Sequence, residues 1–504
     1  MIATVSQRLW DASRFFRRSR SISTQSKRNR SVGFVTLGIS MRKALWKYPG
    51  AALFAGVWLI YSVCPPFLSY DSYWSVATAV SLVENASTRV DRFVASAPAA
   101  ADYGVECVPA AGPARLKYAA EGCPDGHWYS YFPPGTPVLV APLFLVLKGA
   151  TALTGALVPH SGFFARREVA AFFSGDLLTG RPLTELFCGA VIGAATVWLQ
   201  YRIALLFLSR RGAIWLALLF AFGTTEWSLA SRNLFPHGLT LLLLSGALYI
   251  LLDRSLTVAV RMAGYVDRAY GQPVRYFWAG VLLALAFCVR PSNAVSCVLL
   301  AIYVAAHQRR RLPAFLLGAA PVAVIFFAYQ IGVRHSIIPL YLTAPRNSIS
   351  FAEGLAMNFF SPSRGLFVFT PVFLVSLAGA VLAWRRRWCF PIFPYLAMIV
   401  VLHSLVIMTI WPGHCYGPRY FADITHLLVL FLIPAILWWR GQTGTARSAL
   451  AAGFLFLAAC GVFVHARGAT SIAANQWSAL PINVDEARGR VWDWKDAQFL
   501  RGLQ

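Results

Sequence analysis

Asp71 is the residue in this chain best placed for proton chemistry. It lies two or three residues beyond an apolar run, Gly50 to Leu68, whose length of about 19 residues suits a ~30 Å hydrocarbon layer. A carboxylate just outside such a run, followed by Ser72-Tyr73-Trp74 and an apolar-periodic helix to about Glu84, is positioned to take a proton from a hydroxyl. Asp is also favoured at the start of a helix, so a plain N-cap is the competing reading, and the two roles can coexist.

Arginines in tight turns offer the complementary chemistry. Arg364 sits in the stretch Asn358 to Gly365, and Arg419 in Trp411 to Asp423, which also holds His414 and Tyr416. A planar guanidinium beside hydroxyls and free backbone N–H groups suits a phosphate at a membrane surface. The helix start after Arg364 adds a positive dipole end. Headgroup snorkelling, or an internal ion pair with Asp423, is the bland reading of both arginines. His414 and Arg232 are further candidates for the phosphate, whereas His237 opens a helix and suits a cap. The segment His127 to Pro137 brings aromatic rings and hydroxyls into a Pro-Pro-Gly turn that returns the chain to the membrane. Tyr129, Tyr131 and His127, with Tyr416 and Asp423, are therefore candidate substrate contacts; a rigid turn of interfacial aromatics is the alternative.

The elements that must position these groups are membrane helices. Of 504 residues, 58% are hydrophobic and only 13% charged, mean hydropathy is +0.58, and the apolar residues fall in long runs. The net charge of +25 comes from clusters scattered between those runs, which are topology signals and not a nucleic-acid stripe. Residues 1–49 are strongly basic, with Asp11 the single acid, and read as a cytoplasmic anchor. Twelve apolar runs stand out. If all crossed, Arg210-Arg211, Arg309 to Arg311 and Arg385 to Arg387 would lie outside, against the positive-inside rule. Holding back Thr136 to Val158, which contains Pro142, Lys148 and Gly149, moves every cluster inside. The expectation is an all-α polytopic membrane protein with about 11 transmembrane helices and juxtamembrane helices in a large first outer loop, its N-terminus inside and C-terminus outside. Residues 50–465 form the core, 69–182 and 334–365 its large outer loops, and 466–504 an outer tail.

Cys107 and Cys123 share the first loop and can pair in an oxidising compartment; two solvated thiols are the alternative. No spacing demands a metal, although Asp71 and an acid or histidine elsewhere could share a divalent ion. No cofactor is implied, and hydrolase and nucleotide motifs are absent from the sequence.

In this order and on one face, the motifs resemble the C-type, polyprenyl-phosphate-sugar-dependent membrane glycosyltransferases. The likeness is to the bacterial branch related to dolichyl-phosphate-mannose protein mannosyltransferases and aminoarabinose transferases. The residues that carry it are Asp71, Tyr129 to Pro137, Ser231 to His237, Arg290-Pro291, Ser361 to Leu366, Gly417 to Tyr420 and Asn483 to Trp494. The resemblance implies sugar transfer from a polyprenyl-phosphate donor to a lipid, envelope glycan or protein hydroxyl on the periplasmic face of a bacterial inner membrane. It makes Asp71 the base and Arg364 and Arg419 phosphate ligands, with inversion at the anomeric carbon. Where many family members carry an acid in the second outer turn, this chain reads Asn233 to His237 with no carboxylate. A transporter or flippase of a lipid-linked substrate is the competing class. It calls for charges within paired spans, whereas the interior runs here hold few, Glu226 and Arg202 among them near run ends. A non-catalytic scaffold would leave the polar turns unexplained.

Overall fold

The computed structural model describes residues 48–503 apart from 68, 70, 99–100, 111, 158–160, 262–271, 344–346 and 390. The chain divides into Met1–Pro49, nearly all of it outside the described residues along with its expected anchoring role, and Gly50–Gln504.

That unit is mostly helical. Helix α1, Pro49–Ser62, starts on a proline, whose missing N–H costs nothing at a first turn. It buries Leu53, Val57 and Tyr61 as one stripe and leaves Leu59 and Ile60 exposed. The helix stops at Ser62, short of Leu68, because Pro65-Pro66 follows. Among the described residues, five helices are long and apolar enough to cross a membrane: Gly135–Leu157, Arg181–Ala204, Arg309–Arg334, Arg419–Arg440 and Gly444–Thr470. Six shorter apolar helices accompany them. Burial separates two kinds. The window in Arg419–Arg440 is 83% buried and forms core, whereas those in Arg309–Arg334 and Gly444–Thr470 are 17% buried. On the former, Leu317, Val324 and Ile325 are each more than half exposed. Apolar surface of that extent on long helices marks a membrane protein.

Gly135–Leu157, the run that charge placement would hold back, is thus long and apolar enough to cross. Its helical part α3, Gly135–Thr154, packs on α2, Tyr73–Asn85, and Lys148 bridges to Glu84 near the end of α2. Arg92 pairs with the same carboxylate.

The first loop is not purely helical. Strands β1 (Val105–Pro109), β2 (Arg115–Lys117) and β3 (Gly126–Ser130) form an antiparallel sheet in the order β2-β1-β3. Short apolar-polar alternation, rich in valine and aromatics, carries this element, and a search for long apolar runs passes over it. Side chains alternate across the sheet. Val105, Cys107 and Trp128 face a core made with Tyr73, Trp74 and Ala77 of α2. The opposite face holds Glu106 and Tyr129, which are register partners, and Val108 and His127, which are another pair. Glu106 meets Arg334 at 2.7 Å, tying the sheet to the end of Leu312–Arg334. Cys107 and Cys123 are joined by a disulfide across a separation of 16 residues.

The tail begins later than residue 466, since the last long helix continues to Thr470. Its Trp477 is fully buried with Met357, Trp411, Val484 and Val491, whereas Trp492 and Trp494 are exposed.

Candidate functional site

Helix α2 begins at Tyr73 with Ser72 at the N-cap, so Asp71 stands one residue ahead of the cap. Its carboxylate is used otherwise. The Tyr103 hydroxyl donates to Oδ1 at 2.6 Å, and Arg419 Nη1 donates to Oδ2 at 3.1 Å. Asp71 is 22% exposed and Arg419 16%, which leaves the pair reachable but largely shielded.

Both partners are held from behind. The Ser72 hydroxyl donates to Glu185 at 2.8 and 3.0 Å, and the Leu234 backbone N–H donates to the same carboxylate at 3.2 Å. Glu185 is buried, as is Arg181, whose Nε lies 3.5 Å away and whose Nη1 donates to the Ser69 carbonyl at 3.0 Å. Tyr103 precedes Gly104, whose φ of +85° and tight approach to Phe132 and Trp74 exclude a larger residue. At the Pro-Pro-Gly turn, a Cβ on Gly135 would fall 2.4 Å from the backbone of Cys288 and Val289. Glycine there lets the first loop press against the chain just before Arg290.

Arg419 opens the 3₁₀ segment Arg419–Ile424, which leads into Thr425–Arg440. Four residues on, Asp423 is buried and pairs with His237 Nδ1 at 2.7 Å and with Arg290 Nε at 3.1 Å. Arg290 Nε also donates to the Ser292 hydroxyl at 2.8 Å. The guanidinium carbons of Arg290 and Arg419 lie 5.9 and 5.1 Å from the centre of the Tyr420 ring. Arg419 also lies 5.8 Å from the Phe235 ring. Asp423 is therefore spent inside the protein, fixing the segment that carries Arg419. Sequence reasoning passed over Tyr103, Glu185 and Arg181 altogether and gave Arg290 no role at the site. A charge within or at the end of an apolar run was the signal for Glu185 and Arg290, since such a charge must be paired; Tyr103 had none.

The other candidates are placed elsewhere. Arg364 is fully buried and donates to the carbonyls of Ser363 and Gly413, to Gln498 Oε1 and to the Ser478 hydroxyl. Burial pulls its pKa below the usual arginine range. His414 Nε2 lies 2.7 Å from Asn483 Oδ1, and the Tyr416 hydroxyl donates to the Val464 carbonyl at 2.7 Å. Arg364 and His414 thus hold the tail, and Tyr416 the last long helix. Arg232 is buried with Nη1 donating to the Tyr61 carbonyl at 3.1 Å, while among the described residues its Nε and Nη2 have no hydrogen-bond partner. Tyr131 packs on Tyr341 with ring centres 5.5 Å apart and its N–H donates to the Gly104 carbonyl, just past the end of β3, on which Tyr129 and His127 stand. Among the described residues, no three His, Cys, Asp or Glu side chains are grouped as for a metal.

Neither a protein-family model nor a curated protein matches the chain. Among solved structures it is similar to the apo-form crystal structure of the Archaeoglobus fulgidus oligosaccharyltransferase, with a TM-score of 0.43 and 12% identity. The match covers 90% of this chain and 61% of that protein.

Proposed function

We propose that this chain is an integral-membrane glycosyltransferase that moves a sugar from a polyprenyl-phosphate donor to a hydroxyl acceptor. The observation that carries the reading is the shielded contact of the Asp71 carboxylate with the Arg419 guanidinium at 3.1 Å, beside Tyr103. A general base and an anion ligand thereby stand together outside the first apolar helix.

The donor phosphate competes with Asp71 for Arg419. Binding of the phosphate draws the guanidinium away and leaves Oδ2 open to the acceptor hydroxyl. As the acceptor oxygen bonds to the anomeric carbon, its proton passes to Asp71 and the bond from that carbon to the phosphate oxygen breaks on the opposite face. The electron pair leaves with the lipid phosphate, where Arg419 balances the charge. Arg232, with two buried guanidinium nitrogens that have no hydrogen-bond partner among the described residues, is the second candidate phosphate ligand. Arg364 and His414 act through the tail they anchor, which shapes the turn leading to Arg419. Tyr129, Tyr131 and His127 line the acceptor side of the loop, and Tyr416 and Asp423 hold the frame behind Arg419.

The reacting face is assigned to the periplasm of a bacterial inner membrane. Basic clusters between the other apolar runs support that orientation, as does a disulfide in the first loop. In the same topology α3 lies along the membrane surface with α2, to which Lys148 and Glu84 join it.

The test is transfer of radiolabelled sugar from a panel of polyprenyl-phosphate donors to lipid, glycan and peptide acceptors in proteoliposomes, comparing wild type with Asp71→Asn. Asn keeps the size and accepts from Tyr103 but cannot take a proton. Transfer by wild type and none by a folded variant is the expected result. Equal transfer by both removes Asp71 from the chemistry, and no transfer from any donor removes the transferase reading in favour of a carrier of lipid-linked substrates.

A further inference from the structure

The face of the sheet turned away from α2 borders an open cavity of about 510 Å³, closed on its other side by the end of Leu312–Arg334. His127 and Tyr129 of β3 reach it from the sheet, and Arg89, Asp125 and His335 complete the polar wall. Val108, Pro109 and Val333 supply apolar surface between them. Among the described residues the Arg89 side chain makes one hydrogen bond, from Nε to the Tyr129 hydroxyl at 3.3 Å, so Nη1 and Nη2 are available to a ligand, as is the hydroxyl proton of Tyr129. None of these groups is used in the chemistry assigned to Asp71.

We propose that this cavity is a carbohydrate subsite for a neutral, hydroxyl-rich sugar residue at the distal end of an acceptor glycan. The wall offers a guanidinium and a carboxylate, one donating and one accepting, together with the Tyr129 ring, and a polyol with apolar C–H faces satisfies all three. An anion fits poorly. Asp125 repels it, and the cavity borders the C-terminal end of a helix, the negative end of its dipole. A cation meets Arg89 instead. Size follows from the strand. The chain turns at Gly104, just after Tyr103 whose hydroxyl bonds Asp71, and from Val105 to Val108 on the cavity wall the strand then runs three residues, about 10 Å at ~3.3 Å per residue. A glycan that fills the cavity while offering a hydroxyl to Asp71 is therefore longer than a monosaccharide. The role as acceptor subsite rests on the transferase reading; the binding of sugar does not.

Binding is measured on the purified full chain by saturation-transfer NMR with mannotriose, maltotriose and arabinotriose, and with inorganic phosphate followed by its phosphorus linewidth. Two variants address the cavity. Asp125→Ala removes the acceptor, and Gly332→Trp fills the space, since a Cβ at Gly332 meets nothing within 4 Å and leaves the backbone undisturbed. The expected result is saturable binding of at least one trisaccharide, weakened about tenfold by Asp125→Ala, the loss of one charge-assisted hydrogen bond. Gly332→Trp abolishes it at an unchanged melting temperature. The proposal is overturned if no trisaccharide binds, if binding survives Gly332→Trp, or if phosphate binds in a manner that Gly332→Trp removes. Sugar binding lost in Gly332→Trp, with no transfer by wild type from any donor, keeps the subsite and sinks the transferase. Transfer to the same trisaccharide at the wild-type rate in Gly332→Trp does the reverse.

Discussion

Asp71 and Arg419 are 348 positions apart in the chain and meet at 3.1 Å. Each is brought there by a different device. Asp71 is fixed by the start of α2, whose Ser72 is bonded to Glu185, and Arg419 by a short 3₁₀ segment pinned through Asp423 to His237 and Arg290. A base left facing a cation in this way has one oxygen engaged until something more anionic draws the cation off. In the proposed function the pair is a latch that opens when the donor phosphate arrives.

In the proposed reaction that latch makes Arg419 responsible for the phosphate and not for the proton. Arg419→Ala is expected to lower transfer about 10²- to 10³-fold, the usual cost of removing one preorganised donor from a developing anion. Arg419→Lys recovers part of the loss, because it restores charge but not the planar fork. The discriminating readout is product inhibition. Free polyprenyl phosphate should inhibit wild type and lose its effect on Arg419→Ala; equal inhibition of both would assign the phosphate to other residues, Arg232 first.

Glu185 supports the site from inside the protein, taking hydrogen bonds from Ser72 and from the Leu234 backbone beside buried Arg181. Glu185→Ala strands an arginine and two donors, so a loss on the order of 3 kcal/mol is expected. Glu185→Gln still accepts from Ser72 and should lose less. Thermal unfolding in detergent, followed by size-exclusion recovery, ranks wild type above Gln above Ala. An Ala variant as stable as wild type would mean that the Glu185 cluster is not what holds Ser72.

Asp71 and Arg419 were legible in the sequence because both stand where apolar runs give way to polar turns. A charge at a run boundary needs no knowledge of its partner to be noticed. Their pairing was not legible, since it depends on how α2 and the Arg419–Ile424 segment pack. Arg364 shows the opposite outcome. It has the same local signature as Arg419, yet its hydrogen bonds go to a tail more than a hundred residues away, to Ser478 and Gln498. The sheet was missed for a further reason. Strands of three to five residues give little periodic signal beside helices of more than twenty.

The Cys107–Cys123 bond closes a loop of 16 residues that contains β2. Closing a loop of that length stabilises by about 3 kcal/mol in the chain-entropy picture. Arg115 and Lys117 of β2 are trypsin sites on this loop. Trypsin is expected to cut there much faster after reduction by dithiothreitol. A cut made before reduction should leave one band on a non-reducing gel and two under reducing conditions. Separation of the fragments without reductant would show the cysteines unpaired in the purified protein.

Glu106 gives the sheet a pH dependence. Its carboxyl is fully buried against Arg334 at 2.7 Å, and burial, which the arginine only partly offsets, pushes it up to about 7 from an ordinary value of 4.5. The folded protein therefore binds this proton more tightly than the unfolded chain does between those two values. The stability that Glu106 contributes is complete below about pH 4.5 and is lost as pH rises through about 7, a swing on the order of 3 kcal/mol at most. Gln at this position cannot titrate. The melting temperature of Glu106→Gln minus that of wild type should thus climb between about pH 4.5 and 7 and then level, with other titrating groups cancelling in the difference. A difference that stays flat across the window would show that Arg334 keeps Glu106 ionised throughout, and the sheet would then be held to the helix end by a permanent ion pair.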